Sequence, residues 1–302
     1  MRFSIWPSAN QPWSEVLATA CHAEATGWDG VWVADHFMAA GGAAPAETPT
    51  LEAGSLVAAL GAVVPRVQIG TLVYGTTYRH PAVLANMAAT ADHVSGGRFR
   101  LGIGAGWQAN EHEAYGIDLP PVRARVDRFE EAIQVVRSLL HDERTTFSGR
   151  WFRLVDALCE PKPVGDVPIL VGTSGDRMLG ITARWADAWN TWGHPDHIAE
   201  RSAALSRACE AAGRDPDDIA RTAQALVFMA GDGADAATVE RRVQRAPMPA
   251  VGGTVEQLRD VVAAYAEAGV DELIVPDRTL GAGAAKLEAM DRYIEQVAAA
   301  FR

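Results

Sequence analysis

Short apolar runs alternate with helical patterns from one end of the chain to the other. Runs of strand length span 3–6, 30–34, 67–73, 99–103, 169–172, 188–191, 225–229 and 272–276. Most lack a polar alternation, which suits strands covered on both faces, as in a parallel sheet. Between them, Val122, Val126, Phe129, Ile133, Val136 and Leu140 recur at helical spacing and predict one apolar helix stripe. Pro81 suits the first turn of a helix through Asn86 and Met87, and Thr254 with Gln257 reads as a capping box for a helix ending near Gly269.

One internal echo sharpens this pattern. The segment beginning at Ala23, AEATGWDGVWVAD, is matched by AEAGVDELIVPD beginning at Ala266. In both, a helix stops at Gly, an Asp follows, and an apolar strand ends in a second Asp, Asp35 or Asp277. The same helix-to-strand junction near both ends is what a closed ring of βα units produces. The expected fold is therefore α/β, a (β/α)₈ TIM barrel filling residues 1–302 as one domain, with a doubly wound open sheet as the rival. Segments near 37–49 and 141–167 are long enough to be insertions over the carboxyl ends of the strands.

Composition narrows the function classes. The 302 residues, 48% hydrophobic, suffice for one large core. A net charge of −11 lacks the basic footprint of a nucleic-acid binder. No run is apolar enough for a membrane span, and the first ten residues lack a signal-peptide core, so a soluble cytoplasmic protein is expected. Cys21, Cys159 and Cys209 are far apart and read as small buried or half-buried thiols. Lys162 and Lys286 are the two lysines, so anion binding falls to arginine and to local backbone groups.

In a barrel the site is made by the loops that follow the strands. Asp35 and His36 follow the second strand and suit an acid/base pair, the alternative being a loop His and a capping Asp. Tyr78, Arg79 and His80 follow the third, and Gly104, Gly106, Trp107 and Asn110 the fourth. Glycines spaced as Gly102, Gly104 and Gly106 do not make a dinucleotide fingerprint. They read as a close backbone approach to a flat ligand or a tight strand exit. After the fifth strand, Thr173, Ser174 and Gly175 open a helix whose N-terminus suits phosphate, with Arg177 adding charge, unless Ser174 is an ordinary cap. Trp192 and His194 follow the sixth. Glu111-His112-Glu113 invites a metal reading, but the double-His helical spacing is missing and no metal is expected.

The block from Tyr78 through Asp92, His93, Gly96 and Gly97 to Gly102, Gly104, Gly106 and Trp107 resembles the luciferase-like monooxygenase superfamily, within it the oxidoreductases that use the deazaflavin coenzyme F420. The likeness extends to Ala34–His36, Glu160–Pro163, Gly172–Gly175, Ala183–Asn190, Gly253-Thr254 and Glu267–Asp271. It implies a (β/α)₈ barrel with Asp35 and His36 beside the tricyclic ring and catalytic. It implies that Leu72-Val73 form a strand bulge, often with a non-proline cis peptide, behind that ring. Gly106, Trp107 and Asn110 would flank the ring and side chain, with Thr173, Ser174, Gly175 and Arg177 at the phosphate. The sugar-phosphate dehydrogenase branch carries a glutamate where this chain has Trp107. Trp6, Trp107 and Trp192 point instead to a small hydrophobic substrate, a hydride exchanged with F420, and, by resemblance, a homodimer. The alternatives are an FMN-dependent two-component monooxygenase and a non-catalytic flavin or deazaflavin carrier.

Overall fold

The computed structural model describes residues 1–39, 45, 47–230 and 236–302. Its strands are β1 (Arg2–Trp6), β2 (Gly30–Val33), β3 (Gln68–Thr71), β4 (Tyr74–Gly75), β5 (Phe99–Gly104), β6 (Thr145–Ser148), β7 (Arg153–Ala157), β8 (Ile169–Gly172), β9 (Ala188–Trp192), β10 (Ala220–Gln224), β11 (Leu226–Met229), β12 (Ala250–Gly253) and β13 (Glu272–Pro276). The helices are α1 (Trp13–Thr26), α2 (Ala53–Val63), α3 (Pro81–Ser95), α4 (Ala109–Tyr115), α5 (Val122–His141), α6 (Asp176–Trp185), α7 (Pro195–Ala211), α8 (Ala236–Gln244), α9 (Val255–Glu267) and α10 (Gly283–Arg292). Among the described residues no helix is long and apolar enough to cross a membrane.

β1, β2, β3, β5, β8, β9, β10 and β13 form an eight-stranded parallel ring, closed where Ile69 of β3 pairs with Phe99 of β5. That closure excludes the open-sheet rival. β4 resumes the path of β3 after Leu72-Val73 and pairs Tyr74 with Ile103 on the far half of β5. The helix stripe holds: Val126, Phe129, Ile133, Val136 and Leu140 are buried on α5, while Val122 at its start stands exposed at the rim. Thr254 and Gln257 form the capping box, and Pro81 opens α3.

Three sequence expectations need correction. The run 225–229 is not a ring strand. β10 takes that place, and β11 leaves the ring to pair with β12, Leu226 opposite Ala250. Polar Arg221, Thr222 and Gln224 hide β10 from an apolar-run search, because its inner face lines a polar interior. The 141–167 segment also differs. It leaves the C-terminal end of α5 and folds as the β6–β7 hairpin, with its turn residues 150–152 donating three backbone N–H bonds to Glu131 of α5. A connection from helix to strand starts at the strands' N-terminal ends, and this hairpin runs from there along α5 until Phe152 at its turn meets His80, the residue ahead of α3, at 5.2 Å. The 37–49 segment follows β2 at the carboxyl ends, with 40–44 and 46 outside the described residues. Finally, Cys159 and Cys209 are buried but Cys21 is exposed.

The echo at Asp29 and Asp271 has a mechanical meaning. Each stands just before a strand and accepts the backbone N–H of the neighbouring one, Phe3 and Arg221, both at 2.7 Å. Asp187 does the same for Ile169 at 2.9 Å. Such carboxylates satisfy strand-end donors that have no ladder partner.

In-register pairing puts Ser4, Trp32, Gly70, Gly102, Leu170, Asn190, Thr222 and Ile274 on the inner face. Trp32 fills this space, its Nε1 donating to Glu272 at 2.8 Å, and a Cβ at Gly70 would lie 2.4 Å from its ring. A Cβ at Gly102 would lie 1.8 Å from the Thr71 carbonyl oxygen, a backbone atom that cannot move aside. Gly102→Ala should therefore lower stability by about 1–3 kcal/mol or more. Gly180 inside α6 has nothing within 4 Å of an added Cβ, and Gly180→Ala should gain up to about 1 kcal/mol. Urea midpoints of the two variants, moving in opposite directions at unchanged m-value, are the expected readout.

Candidate active site

Two buried carboxylates organise the rim. Asp35, just past β2, accepts from Nη1 and Nη2 of Arg79 at 2.6 and 2.9 Å and from the Gly75 N–H at 2.9 Å. Arg79 also bonds Glu52 at 2.7 Å and lies 4.9 Å over the Tyr74 ring. Burial pushes the Asp35 carboxyl above its ordinary value, while the hydrogen bonds and charge of Arg79 act against that. Desolvation would lower Arg79, but Asp35 and Glu52 more than reverse it and hold the guanidinium above its usual value. Asp35 thus ties the loop after β2 to the loop after β4. Both its oxygens are engaged within the protein, by Arg79 and by the Gly75 N–H.

The second carboxylate is Glu111 on α4, whose side chain is 0% exposed. It accepts from His36 Nδ1 at 2.8 Å, from the backbone N–H groups of Phe37 and Met38 at 2.7 and 3.2 Å, and from the Tyr78 hydroxyl. Burial would raise its carboxyl, but the bonds from His36, Tyr78 and Phe37 outweigh this and hold it below the ordinary range. Since Glu111 accepts everywhere else, Nδ1 of His36 carries the proton, which leaves Nε2 as the open ring nitrogen. Burial and the Glu111 hydrogen bond raise the Tyr78 hydroxyl. His112, read from the sequence as part of a metal triplet, bonds the Gln108 carbonyl at 2.6 Å and Thr77 Oγ1 at 2.8 Å. It therefore serves packing.

The glycine run has an internal explanation. The Leu72-Val73 peptide is cis, as the resemblance implied. Leu72 joins the interior cluster of Trp32, Leu170 and Ile274. Cβ atoms at Gly104 and Gly172 would lie 2.8 and 3.1 Å from Val73 methyls, and one at Gly106, whose φ is +80°, would lie 2.5 Å from Thr77 Oγ1. The glycines make room for the bulge and its loop. Trp107 is 62% exposed and meets the His36 ring edge-on at 5.4 Å. Asn110 bonds the Ala39 carbonyl at 3.1 Å and so ties α4 to the loop after β2.

Thr173, Ser174 and Gly175 lead into α6, which starts without a side-chain cap. Thr173 Oγ1 accepts from the Gly175 N–H at 3.2 Å, Ser174 and Gly175 are exposed, and nothing lies within 4 Å of a Cβ at Gly175. Ser174 is therefore no ordinary cap. A groove of about 730 Å³ opens here between the first turns of α5 and α6, lined by Arg123, Gly175 and Arg177 together with the acids Asp127 and Asp176. Arg177 is turned onto Asp127, away from a free role. Open N–H groups at two uncapped helix starts suit an anion.

In the sequence Arg79 stands without a visible partner, and Glu111 reads only as part of a triplet that lacks metal-ligand spacing. The signal was there in Asn110-Glu111 one helical turn beyond Trp107, but a glutamate acquires this role only when the fold delivers His36 to it. Glu111→Gln tests the assignment. A carboxyl held below its ordinary value contributes stability in full above the unfolded value, about 4.3. That contribution is lost as pH falls through the lower folded value. The variant should be less stable by about 1–3 kcal/mol near neutrality. The gap, read from urea midpoints against pH, should close as the solution is acidified. Parallel curves would refute it.

The family model of luciferase-like monooxygenases matches residues 1–249. An F420-dependent glucose-6-phosphate dehydrogenase of Microbacterium testaceum is 35% identical over 228 residues, 72% of this chain and 66% of that protein. A pyrimidine monooxygenase of Escherichia coli is 34% identical over 171 residues, 55% of this chain and 47% of the other. The match thus spans about two thirds or less of these relatives' lengths. A solved F420-dependent secondary alcohol dehydrogenase, in complex with an F420-acetone adduct, superposes over 100% of both chains with a TM-score of 0.83 at 21% identity, a likeness of fold. The matched region carries both buried carboxylates, the Val73 bulge and the Thr173–Gly175 turn, and the chain belongs to the luciferase-like monooxygenase family.

Proposed function

We propose that this chain is an F420-dependent oxidoreductase acting on a small organic substrate at the carboxyl ends of the ring strands. The observation that carries the reading is the shared rim. The bulge at Val73, the His36–Glu111 pair, Trp107 and the open start of α6 all follow neighbouring ring strands, β2, β3, β5 and β8. The names of relatives add support, since F420-dependent dehydrogenases recur among them.

The residues present fit a flat redox ring with a phosphate-bearing tail. Val73 offers a small apolar prominence behind the ring, and the open space at Gly175 with the α6 N–H groups suits the phosphate. Bound there, F420 supplies hydride transfer, chemistry that no side chain of this protein provides. The protein contributes the rest. Glu111 orients His36 so that Nε2 is the atom that holds or gives up a proton. Asp35 and Arg79 are positioning residues that fix the His36 loop. Trp107 stands edge-on beside the imidazole and shields one side of it. Trp6 and Trp192, with rings 5.8 Å apart, form an apolar floor across the mouth.

Sugar phosphate does not fit this mouth well. Trp107 stands where that branch carries a glutamate, Lys286 is buried on Asp277 at 2.9 Å, and Lys162 bonds carbonyls at the far end of α5. The second reading, an FMN-dependent monooxygenase, draws on the E. coli relative. Titration of the purified protein with F420 and with FMN separates them. Quenching of F420 fluorescence at micromolar concentration with weak FMN binding is expected, and tight FMN binding with no F420 response would defeat the proposal. His36→Ala should retain F420 affinity within about threefold while turnover of a confirmed substrate falls about 10²–10⁴-fold.

A further inference from the structure

β9, β10, β13 and β1 are consecutive in the ring, and their carboxyl ends form the sector of the mouth away from His36 and Val73. In-register pairing sets Gln224 beside Trp192 and Ile274, and Trp6 beside Pro276, all on the inner face. Gln224 is 6% exposed, yet among the described residues its side-chain amide has no hydrogen-bond partner, and its Oε1 is buried. A buried amide without a partner is costly and uncommon, and here it faces the opening where a substrate would enter.

Arg278 follows β13 directly. It is exposed, and its guanidinium carbon lies 5.5 Å over the Trp6 ring. No carboxylate among the described residues pairs with it. The adjacent Asp277 is turned inward, accepting from the Ser8 N–H at 2.9 Å, Gln11 Nε2 at 3.0 Å and the buried Lys286 Nζ at 2.9 Å. Those bonds hold the Asp277 carboxylate inward, so it acts on Arg278 only through space and leaves the guanidinium without a hydrogen-bonded acid. With acidic residues outnumbering basic ones 38 to 27, an unpaired arginine stacked over the apolar floor is a built feature of the mouth.

We propose that Arg278, Trp6, Trp192 and Gln224 form a substrate subsite for a flat organic carboxylate. This rests on the F420-oxidoreductase reading and names its substrate class. The indoles take the planar apolar body, the guanidinium pairs with the carboxylate, and the Gln224 amide bonds a further polar substituent. One cation with no lysine beside it matches a monoanion better than a phosphate dianion. Arg278 and Gln224 are specificity residues for substrate, separate from the His36 machinery.

Calorimetric titration tests this with benzoate, benzyl alcohol and phenyl phosphate, on protein alone and on F420-loaded protein. Benzoate should bind about tenfold tighter than benzyl alcohol. Arg278→Gln should bring the two within about twofold, Arg278→Lys should keep part of the preference, and Trp6→Leu should weaken both ligands. Equal affinity for acid and alcohol, a preference that survives Arg278→Gln, tighter phenyl phosphate, or no benzoate binding at all would each overturn the subsite. F420 binding is read separately by fluorescence. Loss of the carboxylate preference with intact F420 binding rejects the subsite alone, and intact preference without F420 binding rejects the cofactor reading alone.

Discussion

The rim of this barrel depends on a close approach of backbone to backbone at Leu72-Val73. There β3 breaks its pairing with β5 and rejoins it as β4, and the displaced chain moves into space that a side chain at 102, 104 or 172 would fill. Close packing transmits such a constraint, because an interior at crystal-like density has no slack to absorb a methyl group. Val73 is pushed to the mouth, the loop from Thr76 to Arg79 is carried across it, and Thr77 then requires glycine at 106. A glycine pattern that suggested a nucleotide is in this way a consequence of the chain's own path.

Electrostatics at the mouth follow from local neutrality in an acidic protein. Asp35 is matched by Arg79, Glu111 by hydrogen-bond donors from three residues and by the imidazole, and Asp277 by Lys286. Each of these three carboxylates meets a positive or donating partner, the condition under which a buried charge is tolerated. These clusters share a design. Each acid lies near the carboxyl end of a ring strand or on the helix after it, and its partners come from neighbouring connections, so the loops are held in register without ladder bonds. His36 has a fixed orientation for that reason, while Trp107 and Arg278 remain open to solvent.

The fold was readable because seven of the eight ring strands are apolar runs and because the Asp29 and Asp271 junctions repeat. β10 escaped because its inner residues, Thr222 and Gln224, are polar and its neighbour β11 is more hydrophobic. In the site, Asp35, His36, Trp107 and the Thr173–Gly175 turn were legible from their places after strands. Their division of labour was not. Asp35 reads as one half of an acid/base pair with His36, whereas its pairing with Arg79 and Gly75 and the contact of Glu111 with His36 across 75 residues of sequence exist only in the fold. Arg278 and Gln224 carry no motif, and what marks them is the partners they lack.

A crystal structure of the protein soaked with F420 measures the central claim most directly. The expected density places the tricyclic ring over Val73 with His36 Nε2 at its edge, and the phosphate on the Thr173–Gly175 turn at the start of α6. Ring density elsewhere, or a phosphate bound away from that turn while the deazaflavin is fully occupied, would contradict the account.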